Sequence, residues 1–245
     1  MKQLLFGLIA CWVAVAAADE KKPIVLVLTN HGELGDTGKK TGFYLSEAAH
    51  PYQVFRDAGY PVILASPKGG MAPVDPKSLD LKDEDNAMFW KKHGGEGGVS
   101  ETKKLASLDA AEVAGVFFAG GHGTVWDLPN SEVVSTFITE VDRQKGMIGA
   151  VCHGPAAFVG AKGADGKALV AGKSVAVFTN SEEKAVKLTK VVPFLLQSEM
   201  EKAGAKVKVA DDFSDNSVRD GRLVTGQNPA SAKSAAVLFV EGLKE

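Results

Sequence analysis

Cysteine is nearly absent from the 245 residues, which hold only Cys11 and Cys152. No Cys-x-x-Cys pair occurs, and no cysteine–histidine spacing suits a structural zinc site. A disulfide scaffold and a zinc-nucleated fold are therefore excluded. An excess of one charge is also missing. Lys and Arg number 28 against 30 Asp and Glu, a net −2, so no global basic field points to nucleic acid or anionic lipid. Histidine is sparse, with five residues and none after His153. Internal repeats and low-complexity linkers are lacking as well.

What is present lies in the ordinary globular range, with 45% hydrophobic and 24% charged residues. That is enough for one sizeable core. The first residues stand apart. Lys2 precedes an apolar stretch, Leu4–Ala18, which gives way abruptly to Asp19-Glu20-Lys21-Lys22. The stretch is too short and too alanine-rich for a membrane span, and it has the layout of a secretory signal. It predicts cleavage before Asp19, a signal over residues 1–18, and an exported, periplasmic or secreted protein with one domain over 19–245. Lipoprotein processing at Cys11 is the minor alternative. Loss of Cys11 would leave Cys152 as a single unpaired thiol.

Along the chain, short β-branched runs alternate with segments of helical period. "PIVLVLTN", "PVILASP", "AGVFFAG", "MIGAVC", "KSVAVFT" and "AKVKVAD" are apolar nearly throughout, as strands covered on both faces are. In "SEVVSTFITEVDRQKG" the apolar residues share one helical face, with Ser131 as N-cap and Gly146 as stop. "HPYQVFRDAGY" predicts a helix from about Pro51 to Gly59, and "PASAKSAAVLFVEGLKE" another after Pro229. "DGRLVTGQNP" reads as a short strand entered through an Asp-Gly turn. The lysine runs "SETKKLA" and "SEEKAVKLTK" read as solvated helix faces. Ser66–Gly98 reads as one long irregular cover. The sum is an α/β, three-layer sandwich with a mostly parallel central sheet and helices on both faces.

In such folds the ligand crevice lies at the carboxyl ends of the strands. Asn30 and His31, the turn Gly120-Gly121-His122, Cys152-His153 and the segment Asn180–Glu183 all follow predicted strands. Cys152 sits where strand meets turn in V-C-H-G-P, the layout of a nucleophile elbow. A helix opening at Gly154-Pro155 would aim its positive end at the sulfur and favour thiolate. The alternative is a small buried thiol ending a strand. His153 points a different way from its neighbour and needs a third group to orient it, with Glu182 or Glu183 available. Consecutive glycines at Gly120-Gly121 permit exposed N–H groups suited to an oxyanion. His122 has no metal-ligand partner at sequence spacing and reads as structural. Glu47, just before His50-Pro51, reads as a first-turn helix acid unless it points into the crevice.

Five blocks, "TGFYLSEAAHP", "VFFAGGHGT", "AVCHGPAAF", "GKSVAVFTNSEE" and "GRLVTGQNPAS", occur in the order seen in the ThiJ/PfpI superfamily of class I glutamine amidotransferase-like proteins. The chain resembles its glyoxalase III and stress-chaperone branch from about Pro23 to the end. The resemblance implies a flavodoxin-like fold and a cysteine-dependent conversion of methylglyoxal to D-lactate without glutathione, metal or other cofactor. It implies Cys152 as nucleophile, His153 beside it, Glu183 as the acid paired with that histidine, and Glu47 against the sulfur. The N–H groups of Gly121 and His153 would form the oxyanion hole, with Gly120 and His122 lining it. A homodimer acting on a small reactive carbonyl is the implied assembly, with neither nucleic acid nor a membrane span. A glutaminase is excluded, because its catalytic histidine lies far beyond the cysteine and none follows His153 here. A holdase, deglycase or cysteine redox sensor is the alternative, with the Gly69–Gly95 region as client surface.

Overall fold

Strands that are apolar throughout must be covered on both sides, and the architecture meets that demand. A computed structural model describes Lys21–Glu245; the leader expected over 1–18 lies outside the described residues. The elements are β1 (Ile24–Val27), α1 (Leu45–Asp57), β2 (Val62–Ser66), β3 (Gly70–Pro73), α2 (Glu84–His93), β4 (Gly94–Gly95), β5 (Gly98–Lys104) and β6 (Gly115–Phe118). There follow α3 (Thr124–Asp127), α4 (Glu132–Arg143), β7 (Met147–Val151), β8 (Ser174–Val175), α5 (Asn180–Ala185), α6 (Leu196–Lys202), β9 (Lys206–Val207), β10 (Ser217–Asp220), β11 (Leu223–Gly226) and α7 (Ala232–Gly242).

The main sheet runs β10-β11-β7-β6-β1-β2-β5-β3, with β4 added beside β5. From β11 to β5 every pairing is parallel, and only β10, β3 and β4 run antiparallel. Residues of successive position face opposite layers, as the pleat requires. Ile24, Leu26 and Phe117 enter the core shared with α1 and α7, whereas Val25, Val27 and Phe118 enter the core shared with α4. Phe55, Phe117 and Phe239 meet in the first layer with ring centroids 5.3 to 5.7 Å apart. Truncating any of them would cost about 3–5 kcal/mol.

Several local expectations need correction. α1 opens at Leu45, well before the expected Pro51, and carries that proline inside it; Gly59, at φ 80°, does end it. That earlier start puts Glu47 in the first helical turn. Ser131 caps α4, but the left-handed residue that stops it is Lys145 (φ 60°) rather than Gly146. Ser66–Gly98 is not irregular, since β3 and α2 occupy it, and "SETKKLA" forms most of β5 instead of a helix. α5 is a helix, yet its Glu182 and Glu183 are buried rather than solvated. The "KSVAVFT" and "AKVKVAD" runs contribute only the two-stranded ribbon β8-β9, outside the main sheet. "AKVKVAD" alternates Lys with Val, as a half-exposed strand does, whereas "KSVAVFT" is buried from Val175 to Val177 and gives Ala176 N–H to Thr225 Oγ1 instead of to a ladder partner.

Candidate active site

The site forms where β1, β6 and β7 end on one side of the sheet. After Val151 the chain turns through Cys152 at φ 59°, a left-handed conformation that a non-glycine residue adopts only under constraint. The constraint is visible. Cys152 N–H donates to Gly226 O at 2.9 Å, and its carbonyl accepts from Phe178 N at 3.0 Å. Gly154 follows because a Cβ there would lie 2.3 Å from Phe118 O. Residues Gly154–Phe158 then form a 3₁₀ turn, not the α-helix expected after Pro155.

That difference matters for the sulfur. A short 3₁₀ turn supplies little dipole, and the thiol is 3% exposed. Burial, followed by the charge of Glu47, pushes the Cys152 thiol well above its ordinary range. The N–H groups of Gly121 and His153 face the sulfur and oppose that shift. The expected drift toward thiolate is therefore reversed in the resting protein.

Glu47 projects from the first turn of α1 into the same interior and is fully buried. Neither of its oxygens has a hydrogen-bond partner of regular geometry. The Cys152 thiol and Gly120 N–H are the polar groups facing it, and burial raises its carboxyl to about 8. A Cβ on Gly120 would stand 2.5 Å from Glu47 Oε2 and 2.7 Å from His153 N. Glycine at 120 is thus what lets carboxyl, turn and elbow share the space.

On the other side of the sulfur, His153 Nδ1 lies 3.4 Å from Sγ. Its Nε2 lies 2.8 Å from Glu183 Oε2. The second oxygen of Glu183 meets His122 Nε2 at 3.1 Å, and the two imidazole rings sit 4.3 Å apart. Burial opposes ionisation of Glu183, but hydrogen bonds from both imidazoles outweigh it and hold the carboxyl at about 2. Burial, and then His122, lowers His153 to about 4. The consistent state is an ionised Glu183 accepting the Nε2–H of a neutral His153. Nδ1 is then a lone pair directed at the thiol.

His122, His153 and Glu183 offer ligand atoms within 4.8 Å of one another, so His122 does have partners that sequence spacing hid. The three atoms are close enough to share a cation, although here the carboxylate satisfies both imidazoles. Glu182 is engaged elsewhere. It completes a capping box with Thr179 and accepts from Phe213 N, Gln227 Nε2 and Asn228 Nδ2. Asn30 binds backbone of the Lys68–Met71 segment, and His31 stacks on Trp126; neither lines the cavity above Cys152.

Sequence reasoning missed Thr124, Tyr44 and Phe178. Buried Thr124 Oγ1 lies 2.8 Å from Gly121 O and 2.9 Å from His153 O, tying the two turns together. Its position after the Gly-rich turn was the only available signal. Tyr44 lines the cavity, with N–H donated to Gly120 O at 3.0 Å. Phe178 stacks 4.4 Å from the His153 ring. The cavity over Cys152 measures about 250 Å³, walled by Leu34, Phe178, Val186, Leu188, Phe213 and Pro229.

Residues 40–241 match the DJ-1/PfpI family. "Glyoxalase 3" of Candida albicans is 34% identical over 223 residues, covering 87% of this chain and 94% of the relative. The glutathione-independent glyoxalase HSP31 of Saccharomyces cerevisiae is 32% identical over 91% of this chain and 98% of its own. Among solved structures, REP24 of Francisella tularensis superposes with a TM-score of 0.86 at 35% identity, covering 91% of this chain and 99% of that one. The crystal structure of glyoxalase III from Candida albicans gives 0.82 at 32% identity, covering 90% and 96%. These relatives overturn the expectation of an exported, periplasmic or secreted protein, since the named fungal glyoxalases are cytoplasmic stress proteins. Among the described residues, no helix is long and apolar enough to cross a membrane.

Proposed function

Because this chain belongs to the DJ-1/PfpI family, in its glyoxalase III branch, we propose that it is a glutathione-independent glyoxalase. It converts methylglyoxal or a related 2-oxoaldehyde to the 2-hydroxy acid through a hemithioacetal on Cys152. One observation carries the reading. A thiol held in a left-handed turn lines a largely apolar cavity, with Glu47 on one side and a neutral, carboxylate-oriented His153 on the other.

The cycle begins when the Glu47–Cys152 pair has lost one proton. Sγ bonds to the aldehyde carbon while its proton passes through Glu47 to the new alkoxide. That oxygen develops its charge against the N–H groups of Gly121 and His153. His153 Nδ1 or Glu47 then removes the proton on the sulfur-bearing carbon, giving an enediol. The proton returns to the neighbouring carbon, which leaves a 2-hydroxy thioester. Water hydrolyses the thioester, releases the 2-hydroxy acid and restores the thiol. Aldehyde plus water equals product, with no net oxidation.

The test is chiral analysis of lactate formed from methylglyoxal without glutathione, with wild type and Cys152→Ala. The wild type forms D-lactate. The variant keeps its far-ultraviolet spectrum and loses turnover by at least about 10³-fold; undiminished turnover would end the proposal. A holdase reading draws on the exposed Met71, Leu79, Leu81 and Met88 of the Ser66–Gly98 segment. Protection of an aggregating client by the turnover-dead variant, followed by light scattering, would favour it.

A further inference from the structure

The cavity is larger than methylglyoxal needs, and its mouth is charged. An apolar cavity of about 150 Å³ takes up benzene, a ring of six carbons. The space above Cys152 is about 250 Å³, whereas methylglyoxal has three carbons. Much of the wall would face water with so small a substrate bound, and that apolar area would contribute nothing to catalysis.

Three lysines, Lys39, Lys40 and Lys77, contribute to the cavity lining, and all three are exposed to solvent. Lys40 pairs with Glu33. Among the described residues, neither Lys39 nor Lys77 forms an ion pair, and both are exposed. Asp75 is the one carboxylate in the cavity lining. It is buried, and its oxygens already accept from Thr41 Oγ1 and from the backbone N–H of Lys77, each at 2.9 Å. Deeper in, the carboxylate of Glu183 is held by two imidazoles. The lining of this largely apolar cavity thus includes two exposed lysines that, among the described residues, pair with no carboxylate.

We infer that the preferred substrates are 2-oxoaldehydes with an apolar body about the size of an aromatic ring and an anionic group at its far end. The inference rests on the glyoxalase reading and narrows its substrate class. The aldehyde carbon meets Cys152, the body lies against Phe178, Leu188 and Phe213, and the anion reaches Lys39 and Lys77. Steering by exposed ammonium groups is sensitive to salt, which gives the idea a second handle.

The test compares phenylglyoxal with 4-carboxyphenylglyoxal, a pair matched in reacting group and ring but not in charge. The wild-type kcat/KM should favour the carboxylate by about tenfold at low ionic strength. The ratio should fall toward one in the Lys39→Gln/Lys77→Gln double variant, and also in about 0.5 M salt. Equal values in the wild type, or a preference the double variant retains, overturn the inference. A second readout does not depend on turnover. Alkylation of Cys152 by iodoacetamide, followed by peptide mass spectrometry, should be blocked by 4-carboxymandelate at about tenfold lower concentration than by mandelate. The advantage should vanish in the double variant. Absence of lactate formation with this protection intact would sink the glyoxalase reading and leave the anion preference standing. Equal protection by the two acids would remove the anion preference.

Discussion

Replacing Glu47 by Gln should make the protein more stable as pH rises, and the size of the effect follows from burial. In the unfolded chain a glutamate loses its proton near its ordinary value of 4.5, whereas in the folded protein Glu47 keeps it until about 8. Between those limits the unfolded state has released a proton that the folded state still binds. The sign is therefore fixed: this group's contribution is fully present below 4.5 and is lost as pH rises through about 8. At about 1.36 kcal/mol per pH unit, the loss across the interval approaches about 5 kcal/mol, an order-of-magnitude figure. Gln has nearly the same shape and does not titrate. The difference in unfolding free energy, Glu47→Gln minus wild type, should climb by about 4 kcal/mol from about pH 5 to pH 8. For a domain of this size that is a relative rise in Tm of about 8–16 °C. His153 titrates with opposite sign, since its lowered value makes stability present above about 6.5 and lost as pH falls toward about 4. It does so in both proteins and cancels in the difference. Urea titrations or thermal melts at fixed ionic strength give the curves. Parallel stability profiles for the two proteins would refute a buried, proton-holding Glu47.

Other expectations follow from the same geometry. Turnover of methylglyoxal should rise with pH through about 8, as the Glu47–Cys152 pair loses its first proton; a flat profile from about pH 6 to 9 would contradict the assignment. Iodoacetamide should alkylate Cys152 more slowly than a free thiol at neutral pH, because burial holds the proton on sulfur. Glu183→Gln removes the anion that fixes the His153 tautomer and should lower kcat by about 10²–10⁴-fold with little change in fold. Gly120→Ala places a Cβ 2.5 Å from both Glu47 Oε2 and Val151 O. It should lower stability by about 1–3 kcal/mol, measured by urea titration, together with activity.

The layers of the fold were legible because they depend on short-range pattern. Ile24–Val27, Val62–Ser66, Gly115–Phe118 and Met147–Val151 are strands in the parallel part of the sheet, as their apolar runs require. Pro51 misled the helix boundary because its missing N–H favours a first turn, yet tertiary packing of Leu45, Ala48 and Ala49 extends the helix past it. The lysine run in β5 shows a similar override. The strand is paired by β2 on one side and β3 on the other, and Lys103 and Lys104 stay exposed within it. The left-handed elbow at Cys152 was foreshadowed by Gly154 and Pro155, but its acidity was not. Sequence shows a potential helix start, whereas the height of the thiol pKa depends on how completely Glu47 and Gly120 close over it. Likewise, sharing of Glu183 between His122 and His153 spans 61 and 30 positions. No local spacing carries that information.

That closure is itself informative about chemistry. A thiolate standing free in the pocket would react with any electrophile or oxidant that diffused in. In the proposed cycle the sulfur would keep its proton until an aldehyde oxygen is present to be stabilised by the N–H groups of Gly121 and His153. Those two donors already lower the cost of charge on sulfur. Transferring that charge to the oxygen of a bound aldehyde would move it only across S–C–O, from one atom to another on the same carbon. On that proposal, nucleophile and oxyanion would be stabilised by one preorganised pair of dipoles, with little reorganisation in the step. The raised thiol and the raised carboxyl would then belong to a single device of the proposed cycle, in which Glu47 offers the proton path and the N–H groups of the two turns stabilise the charge. Thr124, which binds the carbonyls of both turns, holds that geometry fixed.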